Sequence, residues 1–126
     1  MRIFKVKRFA RFQRRERIAD ASLVRAVRDA SRGLVDADLG GGLVKQRIAR
    51  PGEGKRSGYR ALMAYRRGQR TVFLSGFAKS ERGNVDEAEL RELRAQALAF
   101  LTLDDDALEA LLVDADLVEV EHDDED

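Results

Sequence analysis

Five cations define the chemistry open to this chain: Lys45, Arg47, Arg60, Lys79 and Arg82. Lys45 and Arg47 sit two apart in the alternating stretch Leu43–Ala49, so both project from one face of one strand. Arg60 lies on the next strand, just after a glycine-rich stretch. Lys79 and Arg82 lie just past the end of a third strand. Paired strands run about 5 Å apart, so these groups can converge on one phosphate or a short run of phosphates. Arg50 stands at the end of the first of these strands, and Lys55 and Arg56 lie on a loop able to close over the same place. A single Lys or Arg is ordinarily a solvated charge. Several on one sheet face repel one another unless an anion is present, which marks a polyanion-binding surface. Nucleic acid is the commonest such partner.

Other catalytic inventories are thin. The chain has no Cys, so neither a disulfide framework nor a thiolate metal site exists. Its one histidine, His122, falls in an acidic tail expected to lack structure from 122 to 126. Asp104, Asp105 and Asp106 could chelate Mg²⁺, but a capped helix start accounts for them with less assumption. No metal or cofactor is expected. One reaction suits Arg and Lys alone: cleavage of RNA by its own 2′-hydroxyl attacking the adjacent phosphate. The protein need only align the attack and stabilise the charge that builds on phosphorus. A lysine crowded by other cations has a depressed pKa and can carry the proton; arginine stays protonated.

The elements that position these groups follow from periodicity. Ile3, Phe4 and Val6 suggest a short first strand. Lys7–Arg17, with Phe9 and Phe12, and a second helix begun by Asp20 and stopped at Gly33 form an amphipathic hairpin with basic outer faces. Gly40-Gly41-Gly42 marks a bend or a close backbone approach. Leu43–Ala49, Tyr59–Arg66 and Thr71–Phe77 read as a three-stranded antiparallel meander, widened to four if the first strand joins it. Tyr59, Ala61, Met63 and Tyr65 share one face, opposite Arg60. Asp86 caps a helix to Leu101 with the stripe Leu90, Leu93, Ala97 and Leu101. A second capping pattern starting at Thr102 predicts a helix over Asp104–Ala115, and Leu117–Val120 suggests a last short strand.

The expected fold is therefore α+β: an N-terminal helical hairpin on a small, mainly antiparallel sheet of 3–5 strands, with C-terminal helices. The net charge of +1 hides a division. Residues 1–82 hold 22 Lys and Arg against 7 acids; residues 83–126 hold 2 against 16. The acidic segment is expected to cover part of the basic surface in cis or to modulate partner docking, or else simply to aid solubility. No apolar run approaches the roughly 20 residues of a membrane helix, and no signal peptide is evident. A cytoplasmic location is expected.

The run GLVKQRIARPGEGKRSGYR, followed by a strand ending GFAKSERGN, resembles the RelE/HigB-like toxins of type II toxin–antitoxin systems. The upstream FARFQRRERIADASLVRAVRDASRGLVDADLGGG is similar to the helical hairpin and glycine linker of the HigB-like branch. The resemblance covers residues 1–101, leaving 102–126 as an acidic C-terminal extension. It implies a small toxin that enters the ribosomal A site and cuts mRNA without metal, neutralised by a cognate antitoxin, a small helix-turn-helix protein. It carries the family's basic positions onto Lys45, Arg47, Arg60, Lys79 and Arg82. Catalysis is expected of Lys45, Arg47, Arg60 and Lys79, and RNA binding of Arg50, Lys55, Arg56 and Arg82. RelE itself carries a tyrosine soon after the last basic cluster, where this chain has Val85 and Asp86, and a basic residue where Ser80 stands. The proton-transfer group is thereby left unassigned. Two alternatives stay open: a noncatalytic inhibitor like the ParE branch, which poisons DNA gyrase, and a general nucleic-acid-binding module.

Overall fold

A computed structural model describes residues 1–50, 54–82 and 84–123, with the side chains of residues 50 and 54–57 outside the description. The alternating central segment forms β3 (Leu43–Arg50), β4 (Gly54–Arg66) and β5 (Arg70–Ala78), preceded by β1 (Arg2–Val6), α1 (Lys7–Glu16), α2 (Asp20–Ser31) and β2 (Ala37–Asp38). After the meander come α3 (Glu87–Thr102), α4 (Asp105–Val113) and β6 (Leu117–Val120). The class is α+β, as expected. The sheet, however, has six strands in the order β2-β3-β4-β5-β1-β6, and a strand rather than the hairpin comes first. It is mixed, because β1 runs parallel to β5 while β6 lies antiparallel on β1. These outer pairings join segments far apart in sequence, to which local periodicity is blind.

Within the meander, register follows the alternation. Val44, Gln46 and Ile48 stand opposite Met63, Ala61 and Tyr59, while Lys45 and Arg47 stand opposite Leu62 and Arg60. The first set faces the hairpin, where Phe9, Phe12, Leu23 and Val27 pack against Ile48, Tyr59, Met63 and Phe73. The second face receives α3 and α4: Leu43, Leu62 and Leu74 meet Leu93, Ala97, Leu101 and Leu108. Full burial of each large apolar side chain contributes about 1.5–3 kcal/mol. Tyr59 and Tyr65 lie on the hairpin side, opposite Arg60 as expected; Tyr59 is set edge-on to Phe12 at 5.8 Å and its hydroxyl donates to the Glu16 carbonyl.

Two glycines admit close packing. A Cβ on Gly76 would collide with the Phe12 ring. Gly42, at φ +84°, turns the β2–β3 hairpin, and a Cβ there would come within 2.5 Å of Leu101 Cδ1. The expected close backbone approach is present.

Helix ends depart from expectation in two places. Ala19 rather than Asp20 occupies the cap of α2; Asp20 begins the helix and its carboxylate accepts from Lys5 Nζ at 3.1 Å and Gln13 Nε2 at 2.7 Å. Thr102 closes α3, its hydroxyl donating to the Leu98 carbonyl, while Asp104 caps α4 by accepting from the Ala107 N–H at 2.8 Å. Asp86 caps α3 as expected, accepting from the Glu89 N–H. Arg70 fixes the far end of α3 to the sheet by donating to the carbonyls of Phe100 and Leu103, which the last turn of a helix leaves unpaired.

Residues 102–120 are woven into the same core, since Leu108, Leu117 and Val120 are almost fully buried. His122 lies against the N-terminus, its Nε2 2.9 Å from the Met1 carbonyl oxygen, rather than in an unstructured tail. Residues 124–126 of that expected tail lie outside the described residues.

Candidate functional site

Lys45 and Arg47 on β3 and Arg60 on β4 do converge, and what they converge on is a carboxylate of the chain itself. Asp36 Oδ1 accepts from Arg47 Nε at 3.0 Å, while Oδ2 lies 3.3 Å from Arg60 Nε and 3.5 Å from Lys45 Nζ. Three of the four side chains are largely covered: Arg60 is 6% exposed, Asp36 13% and Lys45 16%, against 49% for Arg47. Like charges this close repel strongly in a low-dielectric setting; the carboxylate offsets one of the three.

Asp36 is held by the backbone on both sides. Its N–H donates to the Lys45 carbonyl at 3.1 Å. Two residues earlier, the Leu34 carbonyl accepts from Gln46 Nε2 at 2.8 Å; the same Nε2 donates to the Ala26 carbonyl at 3.0 Å. Gln46 is buried and on the hairpin face, so β3 ties α2 and the segment after it together with one side chain and aims cations from its other face. Burial pushes the Asp36 carboxyl up. The Arg47 hydrogen bond and the charges of Lys45, Arg60 and Arg47 outweigh that and hold it below the usual aspartate value. A groove of about 300 Å³ opens beside the cluster, lined by Asp29, Leu34, Val35, Asp36, Gln46 and Arg47.

The other expected site residues are placed differently. Lys79 follows β5 and its N–H donates to the Gly58 carbonyl, which continues the row of Arg60 and Phe77. Its ammonium is exposed and makes no ion pair among the described residues. Arg82 does not join the cluster: its Nη2 pairs with Glu89 at 2.7 Å, its Nε donates to the Asn84 carbonyl and its guanidinium stacks over Phe77 at 5.3 Å. The Glu89 hydrogen bond raises the Arg82 pKa and in turn lowers that of Glu89. Lys55 and Arg56 fall within β4 rather than on a loop, and their side chains, with that of Arg50, lie outside the described residues.

The acidic segment neutralises cations elsewhere. Glu109 and Glu119 pair with Arg2, Asp116 with Lys7 and Asp105 with Arg70. Among the described residues none of its carboxylates pairs with Lys45, Arg47 or Arg60. The anion that those three cations require is Asp36, which sequence reasoning passed over as part of a turn. A signal for it existed: a hairpin centred on Gly40–Gly42 pairs Ala37 with Lys45 and so brings Asp36 beside the Lys45–Arg47 stretch.

The α+β class is the one that the sequence resemblance implied. The family profile described as the RelE toxin of the RelE/RelB toxin–antitoxin system matches residues 1–120. The chain belongs to the RelE toxin family. The match runs past Leu101 and takes in α4 and β6. As a RelE-family toxin it belongs to a toxin–antitoxin pair, and a cognate antitoxin is its implied partner. No curated protein matches the chain.

Proposed function

We propose that this RelE-family toxin is a ribosome-dependent mRNA endoribonuclease of the HigB-like branch, acting in the cytoplasm and neutralised by a small helix-turn-helix antitoxin. The observation that carries this reading is the convergence of Lys45, Arg47 and Arg60 on one oxyanion, Asp36, at 3.0–3.5 Å. A site that gathers three cations around a carboxylate is suited to the charge of a pentacoordinate phosphate.

In the proposed reaction the 2′-oxygen bonds to the adjacent phosphorus as its proton departs. The bond from phosphorus to the 5′-oxygen breaks, and that oxygen takes up a proton. The products are a 2′,3′-cyclic phosphate and a 5′-hydroxyl. Arg47 and Arg60 stabilise the phosphorane, and Lys45 adds its charge beside them; arginine stays protonated and takes no part in proton transfer. Lys79, exposed at the exit of β5, is the further cation that would meet the phosphate. The chain supplies charge and alignment, and the RNA supplies the nucleophile.

The test is to induce the protein in growing cells and map new mRNA ends. In-frame cuts in translated messages, with 5′-hydroxyl ends, are expected. Growth arrest with intact mRNA and loss of gyrase supercoiling would instead favour the ParE-like alternative.

A further inference from the structure

Arg47 meets Asp36 through one hydrogen bond, from Nε at 3.0 Å, and Arg60 Nε lies 3.3 Å from the same carboxylate as an ion pair. Arg60 Nη1 has only a long contact to the Tyr59 carbonyl, at 3.3 Å. Among the described residues Arg60 Nη2 and both terminal nitrogens of Arg47 donate no hydrogen bond. A guanidinium fixed through one donor keeps its others in a known plane. Three cations against one carboxylate also leave a net surplus of positive charge for a second anion. Asp36 is itself fixed from behind, through its N–H to Lys45 and through Gln46 to Leu34.

We infer that Asp36 is a positioning residue for the RNA phosphate: it holds Lys45, Arg47 and Arg60 in their converged arrangement and leaves the outer guanidinium nitrogens to take the phosphate oxygens. This rests on the endoribonuclease reading and deepens it. The inference runs against simple charge counting. Removing Asp36 makes the site more positive, so a counter-ion that merely dampened RNA binding would yield a faster or tighter-binding variant when removed. A positioning residue yields a slower one, because the freed cations repel one another out of register.

The test is cleavage of mRNA on programmed ribosomes by the full chain, comparing wild type, Asp36→Ala, Asp36→Asn and Arg60→Ala. Asp36→Ala is expected to lower kcat about 10- to 100-fold, the scale of a misplaced catalytic group, with KM unchanged or lower. Added formate, which can refill the vacated carboxylate seat, is expected to restore part of the Asp36→Ala rate and none of the wild-type rate. If Asp36→Ala fails to fold, the near-isosteric Asp36→Asn carries the same comparison. Asp36 variants that cut as fast as wild type, alongside a crippled Arg60→Ala, would overturn this inference and leave the endoribonuclease reading standing. A wild type that cuts no mRNA, or an Arg60→Ala that cuts normally, would remove the reading on which it rests.

Discussion

Arg60 Nε lies 3.3 Å from Asp36 Oδ2, and both side chains are nearly closed off from water. A charge pair at this depth costs desolvation that only close partners offset. Replacing Arg60 by Ala leaves Asp36 with Lys45 and Arg47, so the carboxylate is not stranded. The expected loss is about 1–3 kcal/mol, below the usual penalty for an orphaned buried charge. Urea unfolding measures it, and a folded Arg60→Ala protein lets any loss of cleavage be attributed to the site.

Acid should unfold the protein through a small set of carboxylates. Asp36 and Asp20 are both held below the usual aspartate value: burial raises each, but the Arg47 hydrogen bond with the cluster's charges, and Gln13 with Lys5, outweigh it. Glu119 is lowered chiefly by its Arg2 hydrogen bond. A folded-state pKa below the unfolded one means that the unfolded chain takes up protons first as pH falls. The stabilisation is whole above the unfolded value, about 4 for a carboxylate, and is lost as pH drops through the folded value. The urea midpoint should be flat from pH 5 to 7 and fall steeply below about pH 4. Asp36→Asn should make that fall shallower.

Much of this was legible because alternation is a local signal. Val44 and Ile48 against Lys45 and Arg47 fixed the faces of β3, and Tyr59, Ala61 and Met63 against Arg60 fixed those of β4. Asp86 and Gly33 marked helix ends correctly, Gly33 through its φ of +83°. What stayed hidden is non-local. The pairing of β1 with β5 and β6 joins chain segments that carry no periodic mark of each other. The partner of Arg82 is Glu89, which in sequence looks like a capping residue for α3. Asp36 is hidden for a different reason: the charge division of the chain points to the C-terminal acids as the internal counter-ions, whereas the carboxylate that meets Lys45, Arg47 and Arg60 comes from a turn.

Phe12 lies over Gly76 so closely that a methyl group there has nowhere to go. Gly76→Ala should cost about 1–3 kcal/mol through overpacking. Phe12→Leu in the same chain should recover part of it by opening the space. Thermal unfolding of the two single variants and the double variant gives the coupling.

The acidic C-terminal segment pairs with Arg2, Lys7 and Arg70, away from the converged cations. Neutralising Glu109 and Asp116 to Gln and Asn should therefore leave cleavage within about twofold of wild type and cost at most about 1 kcal/mol, as for other exposed pairs. Removing 117–126 should instead be severely destabilising, since it strips β6 from the edge of β1 and takes Leu117 and Val120 from the core. Circular dichroism and cleavage assays on both proteins separate surface charge from core.

The most direct measurement is a single-turnover assay of mRNA bound in programmed ribosomes, comparing wild type with Lys45→Ala, Arg47→Ala and Arg60→Ala, each checked for folding. The expected result is cutting by wild type to a 2′,3′-cyclic phosphate and a 5′-hydroxyl, with each substitution slowing it by about 10²–10³, the cost of removing one oxyanion-stabilising donor. Folded variants that cut at the wild-type rate, or a wild type that leaves ribosome-bound mRNA whole, would contradict the assignment of this cationic cluster to RNA cleavage.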